Sequence, residues 1–424
     1  MEIAQIIMVL TLLLMVTGKT PIYLTAILGS SVAAMAAGFP LAGKADITVV
    51  KLINSGLNPV IADMAGVLMF IGIMTKAGFL DVLIHKIMQI GSRIGGAAGI
   101  TAAGALVAGI IGALTGFTQP AVTAAITGPA AIKLGQDPNK TAGLAAHAGH
   151  FGNFAGFTHP TQVAVVATAA IGFGMINVVG AIVGISIIWF SYMRLHRESI
   201  AKGQILTKEQ LTEIENSLAS STKVSTSRAI LPFILFIIGF VLGYPVFLVG
   251  VFAAIITAVL GKVNMSNGES AMLEGVAKIA TPLVATIGFL YMSSVMNKIG
   301  LVGTISDFLG PVLSISPVFV MLFVSAIAGF LTQSNAAAVA IVVPFLQVVL
   351  KMGADPLAAA CAAAGGSAVW QYFLTGGPVA ALSTVIAVVP GANLKSANKF
   401  QRPAMIFGFG VLFICVAVVN ALHR

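Results

Sequence analysis

The sequence predicts an all-α polytopic membrane protein made of two inverted structural repeats, with re-entrant hairpins and discontinuous helices. Three observations carry that expectation. First, the 424 residues are 58% hydrophobic and 8% charged, with a mean hydropathy of +1.03, whereas a soluble domain carries about 25% charged residues. Second, the 46 glycines favour helices packed through small side chains, and the short alternating segments of a membrane β-barrel are absent. Third, the chain repeats itself. Pro59-Val60-Ile61-Ala62 returns as Pro282-Leu283-Val284-Ala285, and Met74-Thr75-Lys76-Ala77-Gly78 returns as Met296-Asn297-Lys298-Ile299-Gly300. Lys133-Leu134-Gly135-Gln136-Asp137-Pro138 returns as Lys351-Met352-Gly353-Ala354-Asp355-Pro356, and Pro160 as Pro378. The offsets of 223, 222, 218 and 218 residues stay in register across most of each half. Duplicated membrane units with interrupted apolar segments at matching places are the sequence sign of a secondary transporter whose site lies between the copies.

Along the chain, residues 3–17 follow Glu2 with no Lys or Arg before the apolar run, so they read as a retained first span rather than a cleavable signal. Residues 20–40, 59–77 and 97–117 come next, near the ~20 residues that a bilayer crossing needs. Between them, residues 79–96 set Leu80, Leu83, Ile84 and Met88 against Asp81, His85, Lys86 and Arg93. That amphipathic pattern is expected to lie along the interface with its charges solvated. Residues 120–134, 139–155 and 160–170 are short and broken by Gly, Pro, Thr and Asn. They predict re-entrant hairpins or discontinuous helices, which membranes tolerate only where the freed backbone is buried in protein or lines a cavity. Span 172–193 closes the first repeat, residues 1–193.

Residues 194–228 form a hydrophilic linker bearing Arg194, Arg197, Lys202, Lys208, Lys223 and Arg228, placed in the cytoplasm by the positive-inside rule. The second repeat, residues 229–424, supplies spans 229–246, 313–331 and 403–421 around broken segments 335–350, 356–373 and 376–389. Lys395, Lys399 and Arg402 precede the final span, yet the equivalent stretch 173–177 has no basic residue, and Lys86 and Arg93 correspond to Phe308 and Ile315. Equivalent points of an inverted repeat lie on opposite sides of the membrane, which accounts for this mismatch. Each half then crosses an odd number of times, with both termini outside the cytoplasm of a bacterial inner membrane. The formal charge of +9 is therefore topology and does not imply nucleic acid.

The candidate site is a pair of polar breaks. In the first half Thr115-Gly116-Phe117-Thr118-Gln119-Pro120 precedes a run holding His147, His150, Asn153, His159, Thr161 and Gln162. In the second half Thr332-Gln333-Ser334-Asn335 precedes Ser367 and Trp370-Gln371-Tyr372-Phe373-Leu374-Thr375-Gly376-Gly377-Pro378. Backbone N–H groups freed at such tips, and the positive ends of short helices, can hold an anion without a fixed cation. An isolated Ser, Thr or Asn there would more often be a helix cap, but both halves place the break at the same point of the repeat.

Three of the six histidines, His147, His150 and His159, fall in one apolar stretch. His150 and His159 are proton-coupling candidates, against the alternative of buried neutral histidines bridging helices. His147 and His150, three apart, would share a helix face. No Cys, Asp or Glu joins them, so neither a metal nor another cofactor is expected. Asp63, the only acid of its span, is the third proton-coupling candidate. Its alternative role is structural, in the first turn after Asn58-Pro59, and its counterpart in the repeat is Thr286. Asp137 and Asp355 each precede a proline and read as N-caps. Cys361 and Cys415 sit in apolar runs and form no disulfide framework. The phosphate loop Gly-x4-Gly-Lys-Ser/Thr is absent, so transport would draw on an ion gradient or on the substrate's own.

The run Phe157-Thr158-His159-Pro160-Thr161-Gln162-Val163-Ala164-Val165-Val166-Ala167-Thr168 resembles the His-Pro hairpin of the gluconate:proton symporter family, within the ion transporter superfamily. Gly329-Phe330-Leu331-Thr332-Gln333-Ser334-Asn335 is similar to the Ser-Asn hairpin tips of dicarboxylate and lactate carriers. The resemblance implies a homodimer in which scaffold helices hold two transport domains and an organic anion, a carboxylate or sugar acid, moves with H+ or Na+ by an elevator-like displacement. It carries substrate or ion contacts onto Thr118, His159, Thr161, Ser334, Asn335, Thr375 and Gly377, beside Gln119, His150, Asn153, Thr332 and Gly376 from the polar breaks. The first tip reads Thr118-Gln119-Pro120 where sodium-coupled relatives have Ser-Asn-Thr. A rival reading within the superfamily, a cation:proton antiporter, needs Asp63 deeply buried. An intramembrane enzyme would need a nucleophile with its base, and neither is apparent.

Overall fold

The computed structural model describes residues 1–17, 20–57, 60–116, 120–203, 224–277, 280–332, 335–370 and 380–423. Every regular element among them is an α-helix. The first half runs α1 (Glu2–Val16), α2 (Ile22–Ala36), α3 (Val49–Asn54), α4 (Val60–Lys76), α5 (Phe79–Thr115), α6 (Pro120–Lys133), α7 (Pro138–Ala146), α8 (Ala148–Phe154), α9 (Pro160–Thr168) and α10 (Met175–Ala201). The second runs α11 (Thr226–Val241), α12 (Val246–Leu260), α13 (Met265–Ala277), α14 (Ala280–Lys298), α15 (Leu301–Leu313), α16 (Pro317–Thr332), α17 (Asn335–Lys351), α18 (Pro356–Trp370), α19 (Ala380–Ile386) and α20 (Leu394–Leu422). Helices α5, α10 and α20 are each long and apolar enough to cross a membrane, accompanied by shorter apolar helices such as α1, α2, α11 and α12.

The two halves turn at matching points. Gly78 (φ 70°) ends the turn between α4 and α5, and Gly300 (φ 79°) does the same between α14 and α15. Gly135 (φ 85°) and Gly353 (φ 83°) repeat the pattern before α7 and α18. Glycine enters this left-handed region without steric cost. The expected caps follow directly: the Asp137 carboxylate accepts from the amides of Asn139 and Lys140 at 2.9 and 3.0 Å, and Asp355 accepts from Ala358 at 2.7 Å.

The halves then exchange partners. Helix α4 packs against α12 and α13, while α14 packs against α2 and α3; α9 lies on α14 and α17, and α19 on α6 and α7. Glycine makes the first exchange possible. A Cβ on Gly66 would stand 2.6 Å from the Phe247 Cα, and one on Gly72 would stand 2.2 Å from the Ala271 carbonyl oxygen. Backbones can approach that closely only where the side chain is missing.

Several elements differ from the sequence expectation. The strut 79–96 and the span 97–117 form one continuous run broken at Gly95 (φ −141°, ψ 17°) and Gly96 (φ 54°, ψ −132°), so α5 is a bent hairpin whose arms meet at Gly91 and Gly99. Helices α3, α12, α13, α14 and α15 answer to no span or broken segment read from the sequence. The sequence predicts breaks in segments 120–134, 335–350 and 356–373, yet α6 and α17 run without a break to Lys133 and Lys351, and α18 does so to Trp370, residues 371–373 lying outside the described residues. Gly365 and Gly366 do not interrupt α18 because they serve packing: a Cβ on Gly366 would lie 2.7 Å from the Leu322 carbonyl oxygen. Segment 139–155 is two helices joined at His147, whose helical φ/ψ (−63°, −13°) keeps them nearly continuous. The final helix begins at Leu394, nine residues before the expected 403, because Asn393 caps it by accepting from the Ser396 amide at 2.9 Å. Helix also continues past the expected linker boundary at 194, as far as Ala201.

Candidate functional site

Helices α9 and α17 each open where their half of the chain breaks, and they meet. The Thr161 hydroxyl, in the first turn of α9, donates to the backbone carbonyl of Asn335 at 2.9 Å. On the other side, the Ser367 hydroxyl of α18 donates to Asn335 Oδ1 at 2.9 Å. Ser367 is itself fixed, because its amide donates to Ser325 Oγ of α16 at 2.8 Å and the Ser325 hydroxyl donates to the Ala363 carbonyl. Helices α16 and α18 come close enough for this through Gly329, where a Cβ would stand 2.7 Å from the Ser367 carbonyl oxygen. Thr161, Asn335, Ser367 and Ser325 are all buried. One side chain from the first half and three from the second thus hold one point.

The residues flanking Thr161 in the chain carry polar atoms with no hydrogen bond to the described residues. His159 precedes Pro160 in an extended conformation (φ −70°, ψ 127°), which opens α9 without a side-chain cap. Its Nδ1, the Thr158 hydroxyl and both polar atoms of the Gln162 amide are buried and make no hydrogen bond to the described residues. Buried groups of this kind are normally satisfied, so a cluster of them marks a place for water or a ligand. The described residues next to this point carry no cation.

A second polar cluster sits beyond the α7–α8 joint. His147 Nε2 lies 2.8 Å from Ser191 Oγ of α10, and His147 Nδ1 lies 3.3 Å from His150 Nδ1. The rings are 5.1 Å apart and tilted by 50°, and both histidines and Ser191 are buried. Asp63 is elsewhere and only half-buried: its Oδ1 accepts from the Phe247 amide at 3.0 Å, in the first turn of α12.

No protein-family model matches the chain, and no curated protein matches it in sequence. Solved structures do. The chain is similar in fold to the crystal structure of the Alcanivorax borkumensis YdaH transporter, at 16% identity and a TM-score of 0.64, covering 99% of this chain and 98% of that one. It is similar also to Neisseria gonorrhoeae MtrF, described within a class of antimetabolite efflux pumps, at 15% identity and a TM-score of 0.62, covering 98% and 94%. The likeness is one of fold. It extends over nearly the whole of both chains, so the all-helical membrane architecture is shared end to end. The gluconate:proton symporter resemblance rests on the short motifs quoted above.

Of the residues singled out in the sequence, the structure brings Thr161 and Asn335 into contact and sets His159 at the start of the same helix. Thr118, Gln119, Ser334, Thr375, Gly376 and Gly377 lie outside the described residues. Thr332 turns its hydroxyl back to the Ala328 carbonyl at 2.8 Å, within its own helix. His150 belongs to the His147–Ser191 cluster, and Asn153 is half-buried in the last turn of α8. Ser325 and Ser191 were not singled out. A lone serine in an apolar helix carries no local signal, and each becomes legible only through a partner 38 or 44 residues away.

Proposed function

We propose that the protein is a secondary active transporter of a small organic anion, a carboxylate or sugar acid, coupled to protons or to sodium and working by an elevator-like displacement. The observation that carries the reading is the Thr161–Asn335 contact. It joins the N-terminal turns of α9 and α17, helices of nine and 17 residues from opposite halves, beside buried polar atoms with no fixed cation. Two converging helix N-termini present N–H groups and partial positive charge, which suit a carboxylate. Exchange of partners between halves suits two bodies that move against each other around a shared site.

In this reading residues 1–193 and 229–424 are the inverted repeats, residues 194–228 are a cytoplasmic linker, and the protein works as a homodimer in a bacterial inner membrane. The contacts on the anion or ion are Thr118, His159, Thr161, Ser334, Asn335, Thr375 and Gly377. Outward transport deserves the first trial, because MtrF is described as an efflux pump. The cation:proton antiporter is the weaker reading, since the Asp63 carboxylate is half-buried and already engaged at the start of α12.

The test is thermal stabilisation of the purified protein by a panel of carboxylates, sugar acids and neutral analogues, with and without sodium and at two pH values. A ligand that binds the folded state raises its apparent stability by mass action. Selective stabilisation by one anion supports the proposal, and its loss in Asn335→Ala or His159→Ala places the site. Stabilisation by sodium or pH alone would favour the antiporter.

A further inference from the structure

We propose that the groove between α10 and the bent hairpin α5 seats an acyl chain of an anionic phospholipid, whose phosphate lies on Arg93, Arg194 and Arg197. Its binding does not depend on the substrate proposed above.

Backbone without side chains shapes the groove. A Cβ on Gly99 would stand 2.0 Å from the Gly91 carbonyl oxygen, so the two arms of α5 close on each other there. Ile90 and Ile94 of the outer arm, Leu106 of the inner arm, and Ile185, Trp189 and Tyr192 of α10 line a groove of about 250 Å³. Ile94 is 68% exposed, Trp189 53% and Ile185 47%, which in a membrane-spanning chain means exposed to hydrocarbon. The α10 wall is held at one end. The Tyr192 ring stacks on His196 at 5.4 Å and sits beside Gly95, where a Cβ would stand 2.5 Å from Tyr192 Cε2.

That end lies at headgroup level. From Met175 to Met193, α10 runs 19 residues without a charge. At 1.5 Å per residue this is roughly 28 Å of helix, matching the ~30 Å hydrocarbon core of a bilayer. Trp189 and Tyr192 then stand in the aromatic belt, and Arg194 stands among the headgroups.

Three exposed cations gather here. Arg93 adjoins Ile94 and is two residues from the Gly95–Tyr192 contact, while Arg194 and Arg197 follow Tyr192 by two and five residues. Arg194 is anchored: its guanidinium donates to the Phe400 carbonyl at 3.1 Å and lies 4.9 Å from the centre of that ring. The acids nearby are otherwise committed. Glu198, the one acid of α10, accepts from Lys140 of α7 at 2.6 Å and lies 3.4 Å from Lys202, and Asp81, the one acid of α5, is at the opposite end of the outer arm. Arg194 and Arg197 form no ion pair among the described residues.

Topology alone explains cations at a helix end. It does not explain a hydrocarbon groove that ends on them, and basic pockets between membrane helices are the places that take anionic headgroups. Free phosphate would use only the cations. A zwitterionic lipid would bring its own cation to the arginines. A second copy, docked by a two-fold axis through this face, would set Arg93, Arg194 and Arg197 against their own kind.

The experiment uses the full chain with Trp370→Phe, which leaves Trp189 as the single tryptophan. It is reconstituted in phosphatidylcholine vesicles containing equal fractions of either chain-brominated phosphatidylglycerol or chain-brominated phosphatidylcholine. Bromine quenches indole fluorescence on contact, so the two quenching curves give the relative affinity of the lipids at the groove. Phosphatidylglycerol should be preferred about fivefold or more, and high salt should shrink that preference. Arg93→Gln combined with Arg197→Gln should bring it close to one. Ala102→Leu, which fills the groove from its α5 wall, should reduce quenching by the brominated phosphatidylglycerol. Lys298→Gln, at the end of α14, should change neither curve. Equal quenching by the two lipids, or a preference that survives the loss of both arginines, would overturn the proposal. So would a preference untouched by Ala102→Leu, because charge would then collect the lipid without seating it. A Trp189 shielded from both lipids would show the groove covered by protein, which also overturns it. The readout is lipid binding, so a substrate panel that stays silent counts against the transporter reading and leaves this site standing.

Discussion

The Thr161 side chain and the Asn335 backbone, 174 residues apart, are joined by a 2.9 Å hydrogen bond that ties the first turn of α9 to the first turn of α17. Removing the hydroxyl by Thr161→Val keeps the shape and deletes the bond, which should cost about 1 kcal/mol of stability. Thr161→Ser should restore it. Denaturation in detergent reads the stability, and the ligand panel reads the site. A valine variant with undiminished ligand stabilisation would remove Thr161 from the binding role.

Ser367 holds the Asn335 side-chain oxygen at 2.9 Å from the opposite side. Ser367→Ala releases that amide while leaving α18 packed, since alanine is smaller and a good helix former. Weaker ligand stabilisation with a melting temperature close to wild type is expected. Equal loss of both would mean that Ser367 supports only the packing of α16 and α18.

Asp63→Asn keeps an oxygen acceptor for the Phe247 amide, so the cap on α12 should survive with a loss under about 1 kcal/mol. Asp63→Ala removes the acceptor and should cost about 1–2 kcal/mol. Transport or ligand stabilisation should persist in Asp63→Asn. A folded but inactive Asp63→Asn protein would point to the antiporter.

Gly72→Ala would drive a Cβ to 2.2 Å from the Ala271 carbonyl oxygen, a rigid backbone neighbour. Overpacking there should cost about 1–3 kcal/mol or prevent folding. Gly410→Ala is the control: open space surrounds it on the outer face of α20, and it should gain up to about 1 kcal/mol from helix propensity. Monodisperse expression of the two variants separates the outcomes. A well-folded Gly72→Ala protein would show that α4 and α13 can part.

Much of this was legible along the chain. The offsets between Met74-Thr75-Lys76-Ala77-Gly78 and its copy reappear as the paired left-handed turns at Gly78 and Gly300, because a local turn needs a local residue. Asp137 and Asp355 read correctly as caps for the same reason. The glycines of α18 misled, since Gly365 and Gly366 look like breaks in a list of residues and act as contact surfaces, Gly365 against Phe154 of α8 and Leu412 of α20 and Gly366 against α16.

What the sequence by itself determined is the class and the local punctuation of the helices, such as the turns at Gly78 and Gly300 and the caps at Asp137 and Asp355. These follow from composition and from short-range backbone preference, which each residue carries with it. What only the tertiary structure decided is who meets whom: that α4 crosses to α12 and α13, that Thr161 finds Asn335, that Asp63 is spent on Phe247, and that His147 turns to Ser191. Those pairings depend on how two bodies of small-residue helices interpenetrate. A hydrogen bond across 174 residues has no periodicity to announce it, and burial supplies the penalty that makes it form.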